Sequence, residues 1–149
     1  MPPEFTVSGI VSRPAPQVHE AIADPAQLSR YFTTGGAQGR LEAGATVIWA
    51  FGEFPGAFPV TVVEAAPGQR LVLRWGLPPE VGAGETTVTF ELKEVAPGRT
   101  QVQITERGWP DTPAGRQASY GNCMGWSQFL SALKAHLEYG INLREGMYA

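Results

Sequence analysis

The stretch ETTVTFELKEVAPGRTQVQITERGW, residues 85–109, decides the fold. Its opening residues alternate, with Val88, Phe90 and Leu92 on one face and Thr87, Thr89, Glu91 and Lys93 on the other. A period of two is the pattern of a strand with one covered face. Ala96-Pro97-Gly98 then supplies a tight turn, because Pro presets its φ and Gly accepts a positive one. Alternation resumes in RTQVQITERGW, with Val102 and Ile104 turned inward. Two such strands with a short connection imply an antiparallel sheet, and its apolar face needs a cover.

The cover lies downstream. Pro113 to Tyr139 is the one segment long enough for a large helix. At about 100° per residue, Ser119, Cys123, Trp126, Phe129, Leu130, Leu133 and Leu137 fall on one stripe. Ser127, Ser131, Lys134 and Glu138 fall opposite, and Gly140 suits the C-terminal cap. Upstream, FTVSGIV (5–11), ATVIWAF (45–51), FPVTVVEA (58–65) and QRLVLRW (69–75) read as further strands, the last two joined by a second Ala-Pro-Gly turn. Between the first two, RPAPQVHEAIADPAQLSRYF reads as two short helices. One covers roughly 16–22; Asp24-Pro25 restarts the second, which ends near Tyr31 and Phe32 before TTGG breaks the pattern. The predicted architecture is α+β: a curved antiparallel sheet of six to seven strands wrapped around one long C-terminal helix, in a single domain over 1–149. A sheet gripping a helix leaves space between them for a ligand.

Composition sets the outer bounds. Of 149 residues, 43% are apolar and 17% charged, which is the balance of a globular domain. A formal charge of −3 offers no basic surplus for phosphates and argues against nucleic acid as a partner. No stretch approaches the ~18 apolar residues of a membrane span. The N-terminal MPPEFTVSG lacks the pattern of a secretory leader, and one cysteine cannot form an internal disulfide. The expected location is cytoplasmic.

Cys123 and His136 invite a catalytic reading, since a thiolate nucleophile needs a base in reach. Thirteen residues of helix separate them by roughly 20 Å, so neither serves the other. His19 and His136 fall on separate helices with no ligand cluster, so no metal site, cofactor or catalytic residue is assigned. Glu106 is the more interesting carboxylate. By parity it follows Val102 and Ile104 onto the inner face, where burial disfavours a bare charge unless a cation pairs with it. There it could orient a polar ligand or act as a general acid/base. The competing reading, to which the balance tips, ends the strand near 105 and leaves Glu106 at the wet rim. Glu53 shares the parity of Trp49 and Phe51 but sits in a loop-like Gly52–Pro55 context. The expected cavity lining is Trp49, Phe51, Trp75, Phe90, Glu106, Trp126 and Phe129, while Phe54 and Phe58 suit a lid or an oligomer contact. Gly121 and Gly125 interrupt the long helix. Either a partner segment, from the chain itself or from a second subunit, approaches closely there, or the helix begins only near Gly125.

Four pieces carry a family resemblance: VSRPAPQVHEAIADPAQLSRYF, VVEAAPGQRLVLRW, TTVTFELKEVAPGRTQVQITERGW and GWSQFLSALKAHL. The acidic-Gly-Trp strand end followed by a Gly-Trp-opened helix is the most specific. Together they resemble the START-like (SRPBCC) superfamily with its helix-grip fold, and within it the heat-shock-protein-90 ATPase activator homologues. One departure is LEAGATVIW, where relatives often pair two glycines and Gly44 stands alone. The resemblance implies a mostly apolar cavity between sheet and helix. Members include lipid carriers, hormone receptors, and aromatase and cyclase enzymes. The leading expectation is therefore binding of a small hydrophobic or amphipathic ligand. The alternatives are a cyclase- or hydrolase-type enzyme using Glu106 as acid/base, and a chaperone-associated interaction module. The eukaryotic activators carry an additional N-terminal domain that contacts the chaperone, and 149 residues leave no room for one, which counts against a chaperone partner. A homodimer is the remaining partner reading.

Overall fold

The computed structural model describes residues 1–148. The chain runs β1 (Glu4–Val11), α1 (Ala15–Ala23), α2 (Pro25–Tyr31), β2 (Gly36–Gln38), β3 (Thr46–Ala50), β4 (Ala57–Ala66), β5 (Arg70–Gly76), β6 (Glu85–Ala96), β7 (Arg99–Arg107) and α3 (Pro113–Tyr139). The strands form one curved antiparallel sheet in the order β1-β7-β6-β5-β4-β3-β2. This is the helix-grip architecture that the alternation and the single long amphipathic segment predict.

The β6–β7 hairpin pairs as its pattern requires. Leu92 faces Val102 and Phe90 faces Ile104, and all four side chains are buried. Register shifts between Val62 and Glu64, and between Glu94 and Ala96, bend the sheet. At the two Ala-Pro-Gly turns, Gly68 and Gly98 take φ of 73° and 70°, the left-handed conformation that favours glycine there.

The sheet's concave face holds α3. Trp126, Phe129, Ala132 and Leu133 are buried against Val60, Leu73, Phe90 and Ile104 in one apolar cluster, while Cys123, Leu130 and Leu137 are half-buried along its edge. α1 and α2 close the side, adding Val18, Ile22, Leu28 and Tyr31 to the same cluster. Each helix start has a donor or acceptor to steady it. Asp24 accepts from the Ala26 N–H at 3.0 Å and caps α2. Thr112 accepts from the Gly115 N–H at 3.0 Å and caps α3. Pro14 offers no side-chain cap to α1, so Glu94 reaches from β6 to accept from the Ala15 N–H at 2.9 Å.

Three sequence readings are corrected. First, α3 is continuous from Pro113 to Tyr139, so it does not begin near Gly125. A Cβ on either glycine would meet nothing within 4 Å, so no segment of the chain approaches closely there. Second, TTGG breaks the helical pattern as expected, but its last glycine already opens a strand that the sequence reading omits. β2 pairs with β3 through Gly36–Ala50, Ala37–Trp49 and Gln38–Ile48. Gly35 passes so close to β3 that a Cβ would lie 2.9 Å from the Cβ of Ala50. Third, β7 does not end at 105. Glu106 pairs with Phe5 on one side and Val88 on the other, because β1 and β6 both run alongside it.

Candidate functional site

A pocket of about 450 Å³ opens at the end of the sheet where β5 and the start of α3 converge. Phe32 follows α2, Phe51 follows β3, Trp75 ends β5, and Trp126 stands on α3; these four rings form its apolar wall. They pack in sequence, Phe51 edge-to-face on Phe32 at 5.0 Å, then Phe32 tilted on Trp126 at 5.3 Å and Trp126 tilted on Trp75 at 5.8 Å between centroids. Gly121 and Gly125 face the same space from α3. Their missing side chains are what keeps it open. Ala at both positions should raise stability by up to about 1 kcal/mol each, since no neighbour is displaced and helix propensity improves. Urea titration of the double variant measures this, and an unchanged or lowered midpoint would contradict it.

Glu106 lies beneath this wall, fully buried. It has no cation. Four neutral side chains bond it instead: Trp126 Nε1 donates to Oε1 at 2.8 Å, Trp75 Nε1 to Oε2 at 2.9 Å, Thr86 Oγ1 to Oε2 at 2.6 Å, and Asn122 Nδ2 to both oxygens at 3.1 and 3.2 Å. A carboxylate with both oxygens bonded tolerates burial that an unpaired one would not. The carboxylate also orders its neighbours. It fixes the planes of Trp75 and Trp126, and because it receives the Asn122 amide hydrogens, it turns the Asn122 carbonyl oxygen away from itself.

The residues expected to line a cavity therefore divide. Phe51, Trp75 and Trp126 border the pocket. Trp49, Phe90 and Phe129 are buried in the packed layer behind it, and Glu106 supports the wall from below without reaching the open space. Phe54 stands exposed at the mouth, whereas Phe58 packs on Phe51 and Trp75 at 5.9 and 5.6 Å. Cys123 is half-buried and does not border this pocket. His136 stacks on Tyr31 at 4.9 Å and bonds Gln27. Burial, then the nearby Arg30, holds its pKa below the ordinary histidine range. His19 is lowered likewise by burial and then by Arg40, against the opposing pull of Glu20. No group of three metal-ligating side chains converges among the described residues.

Sequence reasoning passed over the mouth. Residues after α3 fold back over it, bringing Arg144 and Tyr148 to the pocket. Arg144 is 6% exposed and pairs through Nη2 with Glu53 Oε1. Its guanidinium sits 4.9, 5.7 and 6.0 Å from the ring centres of Tyr148, Phe51 and Phe32. Glu53 is itself held by Thr34, whose Oγ1 donates at 2.8 Å and accepts from the Gly52 N–H at 2.8 Å. The parity of Glu53 with Trp49 and Phe51 was the one available signal on this side.

Residues 12–138 match the activator of Hsp90 ATPase homolog 1-like proteins. The chain belongs to this family. No curated protein sequence matches it. Among solved structures, protein SSP2350 from Staphylococcus saprophyticus superposes with a TM-score of 0.79 at 23% identity, over 95% of this chain and 96% of that one. The Aha1 dimer from Colwellia psychrerythraea gives 0.74 at 22% identity, over 93% and 98%. DynU16, encoded in the dynemicin biosynthetic locus, gives 0.73 at 26% identity, over 92% of this chain but 48% of that one. The family match ends at residue 138, so Arg144 lies beyond it. No helix of the described residues is long and apolar enough to cross a membrane.

Proposed function

We propose that this member of the activator homolog 1-like family binds a small apolar or amphipathic molecule in the pocket between the sheet and the first half of α3. The observation that carries the reading is an opening of about 450 Å³ walled by Phe32, Phe51, Trp75 and Trp126 and kept clear by two glycines. Volumes of about 300–1,000 Å³ with apolar walls and few polar groups suit small-molecule sites. An acid/base role for Glu106 is disfavoured, because five hydrogen bonds occupy both oxygens and seal them from the pocket.

Intrinsic fluorescence tests the proposal, since Trp75 and Trp126 report directly on the pocket. Titration with polyaromatics, sterols and fatty acids should give saturable quenching for at least one class. The same compound should stabilise folding by about 2.7 kcal/mol at a hundredfold excess over its Kd. Gly125→Leu should abolish both signals while leaving circular dichroism unchanged. If no class perturbs either tryptophan, or if Gly125→Leu binds like the parent, the pocket is not a ligand site.

A further inference from the structure

We propose that the pocket's ligand is an aromatic acid and that Arg144 is its anion anchor. The inference rests on the pocket reading and adds the chemical class of what enters. Arg144 is more than nine-tenths buried, yet of its side-chain nitrogens only Nη2 has a hydrogen-bond partner among the described residues. Nε is enclosed with none. A guanidinium has five donor hydrogens in a planar fork that matches a carboxylate, so one bond to Glu53 leaves most of that capacity unused. Burying an arginine costs desolvation that a single ion pair repays poorly, and an apolar residue would seal the mouth at lower cost. The guanidinium lies against the rings of Phe32, Phe51 and Tyr148, all three of which border the same space as Trp75 and Trp126.

The complement of this arrangement is a flat ring with an anionic oxygen group at one end. The ring lies against the tryptophan wall, and the oxyanion meets the guanidinium at the mouth. Glu53 competes for the same guanidinium, so it sets the threshold for binding. Nε is enclosed while the segment over the mouth is seated, so the acid enters as residues 141–148 lift and is clasped when they return.

The test compares 2-naphthoic acid with its methyl ester, which keeps the ring and removes the charge. Binding to the full chain is followed by tryptophan quenching and calorimetry. The acid should bind at least about tenfold more tightly than the ester. Arg144→Gln should erase that preference, weakening the acid at least about tenfold more than the ester, while Arg144→Lys, which keeps charge but loses the fork, should retain part of it. Glu53→Gln should tighten the acid about threefold or more and leave the ester alone. A merely structural Arg144–Glu53 pair would shift the melting temperature in these variants but not the acid-to-ester ratio. If acid and ester bind the parent equally, or if Arg144→Gln keeps the preference, the anchor is disproved while the pocket reading stands. If neither compound binds and the wider panel is also silent, both fall. Should Arg144→Gln fail to fold, the parent ratio and Glu53→Gln decide.

Discussion

Glu106→Gln should unfold about 2–4 kcal/mol more easily than the parent, and Glu106→Ala about 4 kcal/mol or more. Trp75 and Trp126 can only donate toward this side chain, and Asn122 and Thr86 donate to it as well. A glutamine has one acceptor oxygen. If its amide nitrogen takes the place of Oε1, the Trp126 N–H faces another donor; if it takes the place of Oε2, the Trp75 N–H does. The second arrangement is the milder, because the Thr86 hydroxyl can turn and accept. An unpaired buried donor costs about 1–3 kcal/mol, and the charge assistance of the remaining bonds is lost too. Removing the buried charge recovers its desolvation, so the net loss stays below the sum of the broken bonds. Alanine leaves every donor without a partner and adds a void. Chemical denaturation followed by circular dichroism gives both values. A loss under about 1 kcal/mol for alanine would show that the four donors find other acceptors and that the hub is dispensable.

Phe129→Ala should cost about 3–5 kcal/mol and weaken the pocket at the same time. The side chain is fully buried, and four rings pack on it: Phe32 at 4.8 Å, Trp126 at 5.3 Å, Tyr31 at 5.6 Å and Phe90 at 5.8 Å. Truncation removes the ring's transfer free energy and leaves a void that surrounding helix and strand cannot close. Phe32 and Trp126 also form the pocket wall, so both lose their backing. Phe129→Leu should cost far less, because most of the volume is kept. Equal losses for the two variants would mean that the aromatic edge contacts, and not the filled volume, hold this layer together.

Strand parity was a reliable guide wherever both neighbours of a strand were long. It placed Val88, Phe90, Leu92, Val102 and Ile104 in the core. It also pointed Glu106 inward, and the rim reading failed because a carboxylate's partners come from other elements. Trp75, Thr86, Asn122 and Trp126 lie on β5, β6 and α3, and no spacing along one strand announces that they converge. Trp49, Phe90 and Phe129 show the converse limit. Their apolar character marks them as interior, but whether an interior ring borders packed atoms or open space depends on three-dimensional placement. β2 escaped notice because three residues are too few for any period, and because pairing with β3 defines it more than its own composition does. Arg144 escaped because an arginine among Asn, Gly and Met after a helix cap reads as solvated chain. Only folding the segment back over the mouth buries it.

β1 pairs with β7 along its whole length, from Glu4–Arg107 to Val11–Thr100. During synthesis β1 therefore waits until about a hundred further residues have followed before its partner β7 exists. The β4–β5 and β6–β7 hairpins need only neighbouring chain and can form sooner, so attachment of β1 should be the late, slow step. An unpaired strand is open to association with other chains in that interval. Glu4, Thr6 and Ser8 alternate with the apolar residues of this strand, leaving one of its faces polar while it waits. The residues that face water in the finished sheet thus also serve the unfinished one.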